Sequence, residues 1–238
     1  MKPHPSLIRR FLTDYPFLSD AGLLALMAGP AGLQAAELPY LKKLRDDLRP
    51  KAVVSGDVAI VPISGTLGRR PDVIDLLYFG MEDTEVLLEE FSQAAANPWV
   101  RGILLDVDSP GGFLTGGPEL ADAVRRTSTR KPVVAWTGGS MASLAYWIGS
   151  QASEVIASRS ATVGSIGVFA GLLDYSKLFE EAGIKVELFK NAEADFKAIG
   201  FPGTALSDAQ RQHLQSSVQA SFAEFRQAHA AAVAMLVC

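Results

Sequence analysis

Short apolar runs alternate with amphipathic segments along most of this sequence, and this alternation limits the possible folds more than any other feature. Several runs are continuously apolar, as expected of buried parallel strands. The predicted strands are "DVAIVPI" (57–63), "GILLDV" (102–107), "PVVAW" (132–136), "EVIAS" (154–158), "SIGVFA" (165–170) and "KVELF" (185–189). The predicted helices are 83–96, 118–127, 143–152, 172–182 and 206–235. Strands and helices in this order predict an α/β domain with crossover connections.

Residues 1–52 have a different pattern, helical and closed by the charged stretch "KKLRDDLRPK". We therefore predict an N-terminal helical segment (1–52) followed by an α/β domain (53–238). The most apolar early stretch, 21–36, is broken by Pro30 and is shorter than the ~20 residues that span a bilayer. The sequence thus predicts no transmembrane anchor and a cytoplasmic protein.

The composition excludes several kinds of partner and site. The net charge of −4, from 22 basic and 26 acidic residues, gives no basis for nucleic acid as the main partner. The single cysteine, Cys238, excludes an intramolecular disulfide and an internal thiol nucleophile. His4, His213 and His229 lie in the N-terminal segment and the terminal helix, away from the predicted strand ends. We therefore expect no metal site and no cofactor.

Glycine-bearing turns follow four of the apolar runs, at the positions where open α/β sheets collect their functional sites. The turns are "SGTLG" (64–68), "DSPGG" (108–112), "GGSMAS" (138–143) and "VGSIG" (163–167). Neither a Walker loop nor a G-x-G-x-x-G fingerprint occurs, so nucleotide binding is disfavoured. The four turns predict one shared site of another kind.

Ser143, at the start of a predicted helix, is a candidate nucleophile, although a serine there is more often a capping residue. A base must lie within hydrogen-bond reach of it, and no histidine is placed to serve. A lysine can be the base where an apolar pocket favours its neutral form. The stretch "DFKAIGF" surrounds Lys197 with apolar side chains, whereas the alternative is an ordinary surface lysine.

The order "DSPGG", "SMASLAYWI", "ATVGSIGVF" and then Lys-x-x-Gly resembles the signal peptide peptidase A (SppA) family of serine proteases. The resemblance covers about residues 55–204. That family includes membrane-linked bacterial enzymes and phage head-maturation (prohead) proteases. The resemblance implies the crotonase and Clp-protease-like fold, a spiral of repeated β-β-α units, here with a long C-terminal helix. Family members usually continue beyond this helix, whereas this sequence ends at "AMLVC".

The resemblance implies a Ser-Lys dyad with Ser143 as the nucleophile, Lys197 as the general base and Ser165 orienting the lysine. A developing oxyanion would need backbone N–H donors. The candidates are the amides of Gly111 or Gly112 and of Leu144.

The leading interpretation is a serine endopeptidase that processes phage capsid or scaffold precursors, as a homo-oligomer acting on polypeptides. A signal-peptide-degrading enzyme of the same family and a truncated assembly component with a vestigial site are the alternatives. An enoyl-CoA enzyme is also compatible with the fold, but it would make no use of a serine and a lysine in this arrangement.

Overall fold

The computed structural model describes residues 51–71, 75 and 80–236. The predicted helical segment 1–52 lies almost entirely outside the described residues, and its boundary stays a prediction. The strands are β1 (Val53–Ser55), β2 (Val58–Gly68), β3 (Glu82–Asp83), β4 (Gly102–Gly112), β5 (Val133–Thr137), β6 (Ser140–Ala142), β7 (Glu154–Ala157) and β8 (Thr162–Gly164).

The helices lie largely where the amphipathic segments predict them. They are α1 (Thr84–Ala96), α2 (Gly117–Ser128), α3 (Leu144–Gly149), α4 (Ser176–Glu181) and α5 (Asp208–Leu236), with a 3₁₀ segment at Ala192–Ala198 before α5. Helix α1 shows why a helix forms in this segment: it has a capping residue at its start and an apolar face that is buried. The Asp83 carboxylate caps its first turn by accepting from the Glu85 amide, and Leu87 and Phe91, four residues apart, are both buried.

Two sheets share strand β4. The main sheet has the order β1-β2-β4-β5-β7, in which only the β1–β2 pair is antiparallel, while β3 is parallel to the end of β2. The second sheet is small: Ser109 of β4 pairs with Met141 of β6, and Met141 pairs with Val163 of β8.

The chain therefore repeats one unit, a strand in the main sheet, a strand in the small sheet and then a helix. Strands β5 and β6 with helix α3 form one such unit, and strand β4 contributes to both sheets before α2. The predicted α/β class and the predicted β-β-α spiral are confirmed.

The core lies on one face of the main sheet. Burial alternates along β4, where Leu105 and Val107 are buried and the residues between them face outward. These inward side chains form one cluster with residues of α1, α2 and α3. Trp136 of β5 and Ile156 of β7 are exposed. The apolar runs had suggested strands that are covered on both faces. Within the described residues, however, β5 and β7 have exposed apolar side chains on one face.

Residues 165–207 depart most from the prediction. The runs 165–170 and 185–189 form no strands, and α4 is shorter than the predicted 172–182. Phe189 is 93% exposed and Phe169 is almost as exposed. A strand needs a neighbour for its N–H and C=O groups. Within the described part of the chain neither run has one, so their strand propensity has no effect.

Candidate active site

Ser143 lies in a strained turn between β6 and α3. Its φ of 51° and ψ of −122° are unusual for a residue other than glycine, and such backbone strain costs about 1–3 kcal/mol. Two backbone hydrogen bonds hold the turn, from the Ser143 amide to the Gly164 carbonyl (2.8 Å) and from the Trp147 amide to the Ser143 carbonyl (2.9 Å). The Ser143 side chain makes no capping hydrogen bond to α3. The capping role considered for this serine is therefore wrong.

The "DSPGG" turn lies directly against this serine. Gly111 has a φ of 97°, and a Cβ atom added to it would lie 2.7 Å from Ser143 Cβ and 2.8 Å from the Leu144 amide nitrogen. Only glycine allows this approach. The structure thus brings together Gly111, Ser143 and Leu144.

Both glycines of this turn are held closely in place. The Gly111 amide donates to Ser109 Oγ at 3.1 Å, so it is already engaged. Gly112 packs so closely on β2 that a Cβ atom there would collide with the backbone of Leu67. Because the Gly111 amide already has a partner, Gly112 is the candidate oxyanion donor that we pair with the Leu144 amide.

Ser109 also belongs to this turn, although its sequence context predicts no role for it. It is fully buried, and its hydroxyl donates to the Gly65 carbonyl of β2 at 2.6 Å. The available signal was its place in "DSPGG", directly before a proline that cannot donate a hydrogen bond.

Ser165 lies beside Ser143 because β6 and β8 are paired. Ala142 is opposite Gly164 in this pair, and Ser143 and Ser165 are the next residues on the two strands. Adjacent strands are about 4.8 Å apart. Ser165 also has a positive φ, 55°, and it is exposed.

Lys197 lies in the 3₁₀ segment, and its side chain is exposed. Phe196 is 48% exposed and Phe201 is 49% exposed. The enclosed apolar pocket predicted around the lysine is therefore wrong for the described chain, because its aromatic members are about half exposed. Lys197 and Ser143 make no hydrogen bond to each other among the described residues.

Helix α5 contacts the lysine-bearing segment and the serine-bearing helix at separate places. Near its start, Gln210 donates to the Asp195 carbonyl at 2.7 Å, and His213 packs on Phe196 with ring centroids 4.7 Å apart. Further along, Phe225 stacks on Trp147 of α3, also at 4.7 Å. His213 and Phe225 are 12 residues apart, or about 18 Å along the axis at 1.5 Å per residue. The two segments therefore pack on different parts of α5.

Both histidines of α5 contact aromatic side chains. His229 Nδ1 lies 3.3 Å from the Tyr146 hydroxyl, and burial raises the pKa of Tyr146. His213 packs on Phe196, as described. No group of three or more potential metal-ligating side chains occurs in the described ranges.

A charged cluster lies where β2 ends. The Arg70 and Arg69 guanidinium groups each donate to the Glu85 carboxylate at 2.7 Å. Hydrogen bonds from Arg70 and then Arg69 hold the pKa of Glu85 below its usual range, so this carboxylate stays charged and keeps the two arginines in place.

Comparison with known proteins shows which family this chain resembles in sequence. Residues 125–237 match the family model described as peptidase family S49. The chain contains a peptidase S49 domain. It is 34% identical over 174 residues to capsid assembly protease C of Escherichia phage lambda, covering 73% of this chain and 39% of the relative. It is 31% identical over 195 residues to head-tail preconnector protein GP5 of Enterobacteria phage P21, covering 80% of this chain and 37% of the relative.

The family predicted from the order of the motifs is thus confirmed, and the chain spans about two fifths of the length of these S49 relatives. Among solved structures, a mutant of the 1510-N membrane-bound stomatin-specific protease matches with 12% identity and a TM-score of 0.36, over 62% of this chain and 60% of that one. A score of this size supports no inference. Within the described ranges, no helix is long and apolar enough to cross a membrane.

Proposed function

We propose that this chain is a serine endopeptidase in which Ser143 is the nucleophile and Lys197 the general base. The observation that carries the proposal is the turn at Ser143. The structure maintains a strained backbone there, leaves the hydroxyl free of a capping role and places a glycine turn against it. Strain of this kind persists where the surrounding structure enforces it, and it is concentrated at functional sites.

The reaction would be acyl transfer to the serine. Neutral Lys197 takes the proton of the Ser143 hydroxyl as its oxygen attacks the peptide carbonyl, and the protonated lysine then gives that proton to the leaving amine as the C–N bond breaks. The amides of Gly112 and Leu144 would donate to the oxyanion. In the second step the same lysine takes a proton from a water molecule that attacks the acyl carbon, and it gives this proton to the Ser143 oxygen as the ester C–O bond breaks and the carboxylic acid leaves. Ser165, beside Ser143, would orient the lysine.

This mechanism requires a cover for Lys197, and we propose that a second copy of the chain supplies it. Residues 165–207 expose Phe169 and Phe189 almost completely, together with Leu173. An apolar surface of this kind is typical of an interface. Its burial in a homo-oligomer would also remove water from Lys197 and favour the neutral amine.

We propose a polypeptide precursor of a phage capsid or scaffold as the substrate. The support is the likeness to two phage proteins whose names refer to capsid assembly and to the head-tail preconnector. The setting would then be the host cytoplasm or the prohead.

The test is covalent labelling with a serine-directed phosphonate probe. Wild-type protein should be labelled once per chain, and Ser143→Ala should not be labelled, because removal of a serine nucleophile costs about 10⁶-fold in rate. Ser140→Ala, three residues away in the same stretch, is the matched control and should be labelled like the wild type. Labelling that persists in Ser143→Ala would exclude Ser143 as the nucleophile.

Substrate identity needs a second measurement. Candidate capsid and scaffold precursors are incubated with wild type and with Ser143→Ala, and the cut sites are mapped by mass spectrometry. Cuts that depend on Ser143 support the phage role. Efficient cleavage of signal peptides with no cleavage of these precursors would assign the enzyme to the other branch of the family.

A further inference from the structure

The hydrogen-bond ladder between β2 and β4 is interrupted beside the candidate active site. The register shifts between Ser64 and Thr66, which leaves Gly65 of β2 opposite Ser109 and Pro110 of β4. Proline has no N–H group, so Pro110 cannot donate to the Gly65 carbonyl. Even a partly buried carbonyl that loses its ladder partner is unfavourable unless another donor replaces it.

The Ser109 hydroxyl replaces the missing donor and makes a second bond as well. Its Oγ donates to the Gly65 carbonyl at 2.6 Å and accepts from the Gly111 amide at 3.1 Å. The backbone of Ser109 pairs with Met141 of β6, the strand that leads to Ser143. One fully buried side chain thus joins β2 to the glycine turn, on a backbone that is tied to the nucleophile's strand.

The glycine turn has little freedom once it is held there. Gly111 contacts Ser143 and the Leu144 amide on one side, and Gly112 packs on Leu67 on the other. We propose that Ser109 is a positioning residue, whose hydroxyl fixes the Gly111–Gly112 turn so that the Gly112 amide can donate to the oxyanion. This inference rests on the proposed peptidase function and adds a residue to its machinery.

The variant Ser109→Ala removes both hydrogen bonds and leaves the Gly65 carbonyl and the Gly111 amide without partners. The turn can then shift, and a displacement of about 1 Å at an active site can cost about 10²-fold in rate. Because the oxyanion forms only in the transition state, we expect kcat to fall about 10- to 100-fold with little change in KM.

The experiment compares Ser109→Ala with Ser150→Ala, a matched control. Ser150 is also buried, and its hydroxyl also makes two hydrogen bonds, to the Trp147 carbonyl and from the Gln151 side chain. Active sites are counted by the final extent of phosphonate labelling, and the labelling rate is measured per site. For Ser109→Ala we expect as many labelled active sites per chain as in the wild type, but a lower labelling rate per site. For Ser150→Ala we expect wild-type values of both quantities.

The pH dependence of the labelling rate distinguishes a positioning role of Ser109 from an effect on the general base, Lys197. Ser109→Ala should lower the rate by the same factor at every pH, because Lys197 is unchanged. A Ser109→Ala protein with fewer labelled active sites but a wild-type labelling rate at each remaining site would show that Ser109 has a purely structural role. This result would overturn the inference.

Amide hydrogen exchange gives a readout that does not depend on catalysis. Exchange at Gly111 should be faster in Ser109→Ala than in the wild type, while the amides of α2 keep their protection. Unchanged exchange at Gly111 would overturn the positioning role even if the wild type were never labelled. Absence of labelling in the wild type would instead contradict the proposed peptidase function.

Discussion

Residues 102–164 and residues 165–207 contain similar apolar runs, yet only the first region buries them. In the first region each strand has a neighbour, and Leu105 and Val107 pack under the helices. In the second, runs of the same kind have no neighbour within the described chain, and Phe189 is 93% exposed. An apolar run therefore becomes a strand only where a partner strand exists. The difference between the two regions also divides the candidate site, because Ser143 belongs to the packed region and Lys197 to the exposed one.

The largest expected effect tests whether residues 165–207 contribute a catalytic group. Lys197→Arg should lower the rate of peptide hydrolysis by about 10²–10⁴-fold, because a guanidinium stays protonated and cannot accept the serine proton. Lys197→Met should be equally slow. Steady-state kinetics on a cleaved precursor checks both variants. A Lys197→Arg enzyme with near-native kcat would mean that the base lies elsewhere, with His213 and His229 the next residues to test.

The next prediction compares how much one apolar side chain of each region contributes to the free energy of unfolding. Leu105→Ala, in the buried centre of β4, should lower the free energy of unfolding by about 2–5 kcal/mol. Phe189→Ala should change it by less than about 0.5 kcal/mol at low protein concentration, because the ring contributes little to the core of one chain. Urea unfolding measures both.

The same Phe189→Ala variant also tests the proposed cover of Lys197. Sedimentation should show that it weakens self-association of the chain, whereas Leu105→Ala should leave association of the folded fraction intact. Equal destabilisation by the two substitutions would mean that residues 165–207 are packed within a single chain.

The smallest expected effect concerns strain within the packed region. Ser143→Gly should raise the free energy of unfolding by about 1 kcal/mol, because relief of about 1–3 kcal/mol of backbone strain exceeds the entropic cost of glycine. Thermal unfolding of Ser143→Gly beside Ser143→Ala measures the gain, since alanine keeps the strain. Equal melting temperatures for the two variants would show that the turn at Ser143 is not strained.

The sequence predicts the main-sheet strands well, because β2, β4, β5 and β7 each contain at least three consecutive apolar residues. It does not predict β6 or β8, since three residues are too few to show a period of two. These two short strands create the small sheet that holds Ser143 beside Ser165. The geometry of the site therefore depends on elements that leave almost no signal in the sequence.

The site residues were predictable to different degrees. Ser143 and the "DSPGG" glycines stand out because a glycine-bearing turn after a strand is itself a signal. Ser109 could not be assigned, because its hydrogen bonds depend on a register shift between two strands far apart in sequence. The exposure of Lys197 was likewise hidden, since the apolar residues around a lysine do not reveal whether anything covers them.

The close packing of the glycine turn has a consequence for laboratory evolution of this protein. Gly111 contacts Ser143, and Gly112 contacts the backbone of Leu67, so a side chain at either position meets atoms that cannot move aside. A library that randomises these two positions should return few folded clones. A library at residues 184–189 should return many, because those side chains are mostly exposed, and its diversity would alter the proposed interface surface while leaving the fold intact. New specificities should therefore be sought in the exposed region.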